Sequence, residues 1–286
     1  MRANVPDYQA VAPKTLADAL KMLAERPGEW TPIAGGTDLM VLFEAGKLKA
    51  RRLMSIWRLP ELRGIRADAT SLEIGGLTTY SELREHGIVC GEFPQLALAA
   101  GETGGWAIQN RGTLAGNIAN ASPAADSPPA LLVHDAELVL ASVRGERRVP
   151  YMDFHLGYKK TLMAADELIK AVRLPRRSER TVHAYRKVGT RRAQAISKVV
   201  FAARAGWDGK KLGEVRLAYG SVAPTTIRCR NTEAMLSGQR PEPSLIAAAV
   251  QAVMGEIAPI DDIRSDAAYR RDIAGNLLSR FLTDLR

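Results

Sequence analysis

Apolar and polar positions in the first part of the chain predict helices and strands in alternation. The segment TLADALKMLAERPG carries leucines at helical spacing, starts with Thr15 as a candidate N-cap three residues before Asp18, and ends at a Pro-Gly pair, so it predicts a helix. EWTPIAGG predicts a short strand entering a glycine turn, and DLMVLFEAG predicts a helix leaving that turn. A strand, a glycine turn and a helix in this order aim free backbone amides at a ligand.

The pattern continues up to a long segment that is rich in small residues. RLMSI predicts a strand, SLEIGGLTTYSELRE a strand followed by a helix, and FPQLALAAGETGG a helix that breaks at its glycines. Residues 104–142 then contain repeated glycines, and Pro123, Pro128 and Pro129 exclude a long helix, so we expect a loop held in one shape by a ligand or a neighbouring domain. AELVLAS at the end of this segment predicts the next strand.

From DELIKAVRLP onward the pattern is that of an antiparallel sheet. Apolar residues alternate with polar ones, WDGKK predicts a hairpin turn, and EVRLAYGSVA predicts a strand. PSLIAAAVQAVMGEI and AAYRRDIAGNLLSRFL predict helices that cover the sheet. We place a domain boundary near Pro175, in the basic segment RLPRRSER.

Length and composition indicate a soluble globular protein of about two domains. The chain has 286 residues, 46% of them hydrophobic and 25% charged. It contains no apolar window of about eighteen residues, and its amino end lacks the apolar core of a signal peptide, so we expect a cytoplasmic protein without a membrane span. Cys90 and Cys229 lie far apart with no CxxC or histidine spacing, which argues against a metal site in this chain.

The net charge of +9 raises the possibility of a nucleic-acid partner. The basic clusters, however, are short and scattered, and none is interleaved with aromatic side chains as in a stacking platform for bases. A solvated basic surface or an acidic protein partner fits this distribution better, so no nucleic-acid partner is predicted.

Two glycine-centred loops remain to be explained. AGGTD, residues 34–38, is neither the GxGxxG fingerprint nor a GxxxxGK[ST] phosphate loop, and by itself it is more typical of a tight turn without a ligand. Together, however, PIAGGTDLM, NRGTLAGNIANASPAAD and AYRKVGTRR, in this order and spacing, resemble the FAD-binding medium subunit of the molybdenum hydroxylases. This family includes flavoprotein subunits of xanthine and carbon monoxide dehydrogenases, and the resemblance covers essentially the whole chain.

The resemblance implies an α+β fold with two domains. The first, residues 1–175, is an FAD-binding domain of the vanillyl-alcohol-oxidase-like type with subdomains of about 1–57 and 58–175. The second, residues 176–286, is similar to the carboxy-terminal domain of carbon monoxide dehydrogenase flavoproteins and has a three-stranded antiparallel sheet and helices.

The resemblance also implies the residues that bind FAD. Backbone amides of the first loop can cradle the pyrophosphate, and adjacent glycines permit that approach. The residues of that loop are Ala34, Gly35, Gly36, Thr37 and Asp38. In the second loop, Thr113, Gly116 and Asn117 match positions near the flavin and pyrophosphate, and Asn120, Ser122 and Asp126 match polar positions around the dinucleotide. Ile169 matches an apolar position near the flavin or adenine, and Lys187 a position near the flavin ring or ribityl chain.

Three of these residues have an ordinary structural alternative. Asp126 can cap the helix that SPPALL begins, Ile169 can be strand core, and Lys187 can be a solvated surface lysine. The chain also departs from some relatives, which have an acidic residue shortly after the matched lysine. Here the stretch RRAQAISKV contains Gln194 and Ala195 and no carboxylate, which leaves the electron acceptor, NAD⁺ or another, open.

The resemblance implies an electron-transfer role within a complex. A large subunit with a molybdenum cofactor would oxidise the substrate, a small subunit with two-iron two-sulfur clusters would pass the electrons on, and FAD in this chain would collect them. No catalytic side chain and no metal ligand is assigned to this chain. Two alternatives remain, a stand-alone flavin reductase of the same superfamily and a non-catalytic basic binding protein whose glycine turns hold no ligand.

Overall fold

The computed structural model describes residues 7–191 and 194–285, over which the chain forms eleven α-helices and fourteen β-strands. None of the helices in these residues is long and apolar enough to cross a membrane. The helices are α1 (Leu16–Glu25), α2 (Leu39–Glu44), α3 (Tyr80–Glu85), α4 (Gly87–Glu92), α5 (Pro94–Glu102), α6 (Trp106–Gln109), α7 (Leu114–Ala119), α8 (Ser127–Val133), α9 (Arg230–Leu236), α10 (Pro243–Glu256) and α11 (Ala267–Asp284). The strands are β1 (Gln9–Val11), β2 (Thr31–Ile33), β3 (Arg52–Ser55), β4 (Ile65–Ala67), β5 (Ser71–Gly75), β6 (Glu137–Ser142), β7 (Gly145–Pro150), β8 (His155–Gly157), β9 (Lys160–Thr161), β10 (Leu168–Pro175), β11 (Thr181–Val188), β12 (Val199–Asp208), β13 (Lys211–Gly220) and β14 (Ile227–Arg228).

The strands form three main sheets that follow one another along the chain. The first is a small parallel sheet in the order β1-β3-β2. The second is antiparallel in the order β4-β5-β10-β6-β7, and the third is antiparallel in the order β11-β12-β13-β14. Strands β8 and β9 form a separate hairpin beside α7.

Local sequence signals set the ends of several helices. The Thr15 hydroxyl accepts a hydrogen bond from the Asp18 amide at 3.1 Å, which confirms the predicted start of α1. At α3, Thr79 and Glu82 form a reciprocal capping box that was not anticipated. Pro27 and Gly28, whose φ is +81°, follow α1 and end it as predicted.

Three apolar cores hold these layers together. The first lies between the parallel sheet and α1, and the second fills the space between the five-stranded sheet and helices α3, α4, α5, α7 and α8. The third packs the carboxy-terminal sheet against α9, α10 and α11. Ala202 and Ala218 of the carboxy-terminal sheet belong to the second core, so the two halves of the chain share buried apolar surface.

The carboxy-terminal sheet has four strands in place of the expected three. The predicted hairpin forms between β12 and β13, with Gly209 at a φ of +59° in its turn. The additional strand, β14, has two residues, and it pairs through Ala218 with Arg228 and through Tyr219 with Ile227. Two residues carry no readable alternation, and for that reason the sequence pattern did not reveal this strand.

The small-residue segment 104–142 is also more regular than predicted. It contains α6, α7 and α8 before strand β6, where we expected a loop. Pro128 and Pro129 lie in the first turn of α8, where a missing N–H breaks no helical hydrogen bond. All seven residues of α8 are buried, so packing against both halves of the chain stabilises this short helix.

A buried polar network joins α5 to the carboxy-terminal sheet. The Gln95 side chain donates to the Ala203 carbonyl at 2.8 Å, and its Oε1 accepts from Nε2 of His134 and Nδ1 of His183, both at 2.9 Å. Burial lowers the pKa of His134 well below its ordinary value and also lowers that of His183. Both histidines are therefore neutral in the folded chain at neutral pH.

This network makes the fold sensitive to acid. A histidine whose folded pKa lies below its unfolded pKa stabilises the fold fully above pH 6.5, and this contribution is lost as the pH falls below that value. We expect the free energy of unfolding to fall between pH 7.5 and pH 5.5, and to fall by about 1 kcal/mol less in His134→Gln. Urea unfolding at both pH values measures this difference. Parallel pH profiles for the two proteins would contradict the assignment.

Candidate functional site

The first glycine loop joins β2 to α2 and leaves its backbone amides without partners. Gly36 has a φ of +78°, a left-handed conformation that glycine adopts easily. The amides of Gly35, Gly36, Thr37 and Asp38 donate to no acceptor among the described residues. Consecutive free amides in a turn form a concave site for an anion. The predicted order of strand, glycine turn and helix is confirmed.

The second glycine loop leads into α7. The Thr113 hydroxyl accepts from the Gly116 amide at 3.1 Å and so caps this helix, while the Leu114 amide donates to the Thr78 carbonyl at 3.0 Å. Oδ1 of Asn117 is buried and accepts no hydrogen bond from any described residue. A buried amide oxygen without a partner is costly unless a ligand or water supplies the donor.

The two loops meet backbone against backbone. A Cβ atom on Gly35 would overlap the carbonyl oxygen of Arg111 and would lie 2.5 Å from its carbonyl carbon. A second link is made by side chains, because Nδ2 of Asn120 donates to Oδ1 of Asp38 at 3.1 Å. Loops about eighty residues apart in sequence are therefore fixed to each other on one side of a single cavity.

This cavity has a volume of about 560 Å³, within the usual range for ligand sites, and its wall is more apolar than polar. The five-stranded sheet contributes Leu168 and Ile169, the latter 6% exposed, while Ile56, Leu62 and Leu77 add further apolar surface. Ten of the thirteen sequence-predicted residues line the cavity. They are Ala34, Gly35, Gly36, Thr37, Asp38, Thr113, Gly116, Asn117, Asn120 and Ile169.

Free amides on one side, a buried acceptor without a partner, and an apolar wall fit the parts of FAD. The amides suit the pyrophosphate, the Asn117 oxygen suits a polar edge of the dinucleotide, and the apolar wall suits an aromatic ring system. No cluster of three or more histidine, cysteine, aspartate or glutamate side chains within residues 7–191 and 194–285 is arranged to hold a metal ion.

The other three predicted residues lie outside the cavity lining. The Ser122 hydroxyl accepts from the Ala124 amide at 3.3 Å and shapes the turn before α8. Asp126 and Lys187 form an ion pair with Nζ and Oδ2 2.7 Å apart, and their side chains are 9% and 6% exposed. Lys187 also donates to the Glu102 carbonyl at 2.9 Å. Lys187 is therefore not a solvated surface lysine, and the Asp126 side chain makes no capping hydrogen bond to α8.

The buried pair stands directly behind the cavity wall. Burial raises the pKa of the Asp126 carboxyl to about 6, although the nearby Lys187 ammonium works in the opposite direction. Burial and the charge of Asp126 also raise the pKa of Tyr80, which lines the cavity. Oδ1 of Asp126 has no hydrogen-bond donor among the described residues.

The carboxy-terminal half holds the backbone between Asn120 and α8. Ser221 donates its amide to the Pro123 carbonyl at 2.8 Å, and the Ser197 hydroxyl donates to the Ala124 carbonyl at 2.9 Å. Ser221 has a φ of +66°, which few non-glycine residues adopt, and Arg270 donates to its carbonyl at 2.9 Å. The YGSVAP segment thus positions the second loop.

Several cavity residues carry no signal that the sequence reasoning used. The Gly-Gly pair in EIGGLTT could have indicated a close approach of two backbone segments. In the structure, a Cβ on Gly76 would overlap the Ile169 carbonyl oxygen. Lys159, in the turn of the β8-β9 hairpin, had no recognisable motif around it. The lining residues that were missed include Gly76, Leu77, Tyr80, Thr103, Ile108, Ala115, Lys159 and Met163.

The stretch after Lys187, which lacks a carboxylate, folds back toward the second loop. Gln194 has a φ of +51°, and its amide group lies so close to Gly105 that a Cβ there would be 2.6 Å from Nε2. Gln194 therefore lies over the glycine pair before α6. Arg192 and Ala193 of this stretch lie outside the described residues.

Comparisons with known proteins agree with this geometry. The family described as the FAD binding domain in molybdopterin dehydrogenase matches residues 6–177, and the family described as the CO dehydrogenase flavoprotein C-terminal domain matches residues 183–285. The xanthine dehydrogenase FAD-binding subunit of Escherichia coli O157:H7 is 34% identical over 272 residues, which cover 94% of this chain and 93% of the relative.

A carbon monoxide dehydrogenase gives a similar result in sequence and in structure. The medium chain from Hydrogenophaga pseudoflava is 31% identical over 280 residues, covering 97% of this chain and 96% of that one. A solved structure of carbon monoxide dehydrogenase from the same organism, which lacks the Mo-pyranopterin moiety of the molybdenum cofactor, superposes with a TM-score of 0.92 at 31% identity. The superposition covers 96% of both chains, so this mixed α and β fold is that of a carbon monoxide dehydrogenase flavoprotein.

Proposed function

The chain belongs to the FAD-binding subunits of the molybdenum hydroxylases, and from this membership we propose that it is the electron-transfer flavoprotein of such an oxidoreductase. In this role the chain would hold FAD, which would take electrons from iron–sulfur clusters of a partner subunit and deliver them to NAD⁺ or to another acceptor. The observation that carries the proposal is the junction of the two glycine loops, where free amides and the unpartnered Asn117 oxygen border one cavity.

We assign the residues of this cavity to parts of FAD. The amides from Ala34 to Asp38 hold the pyrophosphate, because those of Gly35 to Asp38 have no acceptor among the described residues and the loop lines the cavity. Thr113, Gly116 and Asn117 lie next to the flavin and pyrophosphate, Asn120 fixes the first loop through Asp38, and Ile169 packs against a ring.

The residues outside the cavity lining support it from behind. The charge of Asp126 acts on the lining residue Tyr80, Lys187 donates to the carbonyl of Glu102, next to the lining residue Thr103, and Ser122 sets the turn that leads to Asp126. These three residues thus act on FAD through the wall of the cavity.

We propose that no described side chain of the cavity acts as an acid or a base in the reaction. The titratable side chains that line the cavity, within the described residues, are Asp38, Tyr80 and Lys159, and burial raises the pKa of Tyr80 far above neutrality. FAD supplies the redox chemistry when bound, taking up two electrons and releasing them to the next acceptor. The side chains orient FAD and exclude water from its apolar face.

We propose a large subunit with a molybdenum cofactor and a small iron–sulfur subunit as partners. Several relatives are named as medium chains, which supports an assembly with larger and smaller chains. Large apolar side chains are also exposed on short helices, including Leu98 at 51% and Trp106 at 70%, and no residue of α2 is buried. Exposed apolar surface of this kind is typical of chains covered by partners.

Of the two alternatives, the basic binding protein is wrong, because the matched family binds FAD. A stand-alone flavin reductase is less well supported, since the carboxy-terminal half also matches the carbon monoxide dehydrogenase flavoprotein family.

We also propose the division into domains at Pro175, with subdomains of about 1–57 and 58–175 before residues 176–286. The family matches that end at residue 177 and begin at residue 183 support this boundary.

The test is the visible spectrum of the purified chain, with the released cofactor identified by chromatography. We expect one FAD per chain and co-purification with molybdenum-containing and iron–sulfur chains from the source organism. In that complex, addition of the oxidisable substrate should bleach the flavin absorbance. A flavin-bearing chain that forms no such complex would favour the reductase, and a colourless chain that takes up no added FAD would overturn the proposal.

A further inference from the structure

We propose that Lys159 is an additional FAD-binding residue, which places its ammonium group against the pyrophosphate. This inference rests on the proposed function and adds a cation to the pyrophosphate site, for which the sequence indicated no basic side chain. A pyrophosphate diester is a dianion, and amides offer it only partial positive charges. Among the described residues that line the cavity, Lys159 is the one cation and Asp38 is the one carboxylate.

Hydrogen bonds hold the Lys159 ammonium at the junction of the two glycine loops. Its Nζ donates to the backbone carbonyl of Asn120 at 2.7 Å and to Oδ1 of the same residue at 2.6 Å. Nδ2 of Asn120 in turn donates to Oδ1 of Asp38 at 3.1 Å. An ammonium group has three N–H donors, and Asn120 accepts from two of them. The third remains for a ligand oxygen in the cavity.

The backbone of the β8-β9 hairpin directs this side chain to the cavity. Lys159 has a φ of +56°, a left-handed conformation that is uncommon for residues other than glycine. Nε2 of His155, in the same hairpin, donates to the Ile118 carbonyl of α7 at 2.9 Å and so fixes the hairpin against the second loop. Unfavourable backbone geometry that the surroundings maintain is a recurrent property of ligand sites.

A purely structural role for Lys159, as a link between the hairpin and Asn120, makes a different prediction. In that case the loss of FAD affinity in a variant would not depend on salt, because hydrogen bonds between neighbouring loops respond little to ionic strength. An ionic contact with phosphate is screened by salt and is retained by arginine, which keeps the charge and can pair with phosphate oxygens.

The experiment is a titration of the full-length, flavin-depleted chain with FAD, followed by flavin fluorescence, at about 50 mM and about 500 mM salt. We expect Lys159→Met to raise the dissociation constant about ten-fold at low salt and much less at high salt. Lys159→Arg should stay within about three-fold of the unmodified chain. Lys160→Met is the matched control, because Lys160 is the exposed neighbour outside the cavity lining, and it should leave the constant unchanged.

The possible outcomes separate this inference from the proposed function. If the unmodified chain binds FAD and Lys159→Met binds it equally well, the role of Lys159 is wrong and the proposed function stands. A loss that is the same at both salt concentrations and is not restored by arginine also overturns the ionic role. If the unmodified chain takes up no FAD, both the inference and the proposed function fail.

Discussion

Gly35→Ala should purify without FAD. A methyl group at this position would occupy the space of the Arg111 carbonyl oxygen and come within 2.5 Å of its carbonyl carbon. Both atoms belong to a backbone that Tyr80 and Ile108 hold, since the Tyr80 amide donates to the Gly112 carbonyl at 3.2 Å and Ile108 accepts from the Arg111 amide at 3.1 Å. The two loops must therefore separate, and the cavity between them loses its shape.

We expect the FAD dissociation constant of this variant to rise at least about 100-fold, equivalent to about 3 kcal/mol. The flavin-to-protein ratio after purification and an FAD titration measure the effect, and circular dichroism checks that the variant is folded. Gly91→Ala is the control, because a Cβ atom on this helical glycine would meet no described atom within 4 Å beyond its chain neighbours and its own helix backbone. A Gly35→Ala variant that retains one FAD per chain would show that the loop junction does not form the site.

The neighbouring Gly36 has a conformation that the sequence predicted and surroundings that it did not. Its place in AGGTD indicated a turn and a close approach, and its φ of +78° agrees with the turn. A Cβ on Gly36, however, would meet nothing closer than Met40 Cγ at 3.4 Å, so a side chain there has room and is disfavoured mainly by backbone conformation. The sequence could not rank the two glycines, because the atom that excludes a side chain from Gly35 comes from Arg111 in another loop.

Local signals account for the parts of the fold that were predicted correctly. These signals act within a few residues, so the local sequence is sufficient to predict them. They are the Thr15 cap with Asp18, the glycine turn before α2 and the turn at Gly209. Strand β14 is shorter than the length at which alternation is visible, and the first turn of α8 contains two prolines whose effect depends on their position in the helix. Tertiary packing decides both.

The candidate site shows the same division between local and distant information. The two glycine-loop motifs identified nine of the ten predicted lining residues, and Ile169 of β10 is the tenth. Lys159 comes from a hairpin with no motif and is positioned by its contacts to Asn120. Similarly, the sequence placed Lys187 near the flavin but did not pair it with Asp126, because strand β11 and the turn before α8 meet only in the folded chain. The pairing of buried charges is therefore determined by the tertiary structure and not by the local sequence.

Lys187→Met should be strongly destabilising at alkaline pH, because it leaves the buried Asp126 carboxylate without its partner. Removing one member of a buried pair costs about 3–5 kcal/mol, and both side chains here are less than 10% exposed. Lys187 is the main influence that lowers the pKa of Asp126, so without it burial raises that pKa further above the value of about 6. A carboxyl whose pKa is higher in the folded state than in the unfolded state lowers the free energy of unfolding when it is ionised. This penalty is absent when the carboxyl is protonated.

The sign of the pH dependence follows from this. As the pH falls through the folded pKa of Asp126 toward its unfolded value near 4, the folded state takes up the proton first, and the penalty disappears. We expect the Lys187→Met chain to lose about 3–5 kcal/mol of unfolding free energy at pH 8 and clearly less at pH 5, by urea unfolding. Lys170→Met is the matched control, since Lys170 pairs with Glu146 at the surface, and it should cost under about 1 kcal/mol at either pH.

The double variant Asp126→Asn with Lys187→Met separates the charge from the packing. Without a buried carboxylate, its unfolding free energy should lose the extra pH dependence of the single variant and should exceed that of Lys187→Met at pH 8. A constant loss in Lys187→Met between pH 8 and pH 5 would mean that Asp126 is not its cause, as would a double variant that is as unstable as the sum of the two single changes.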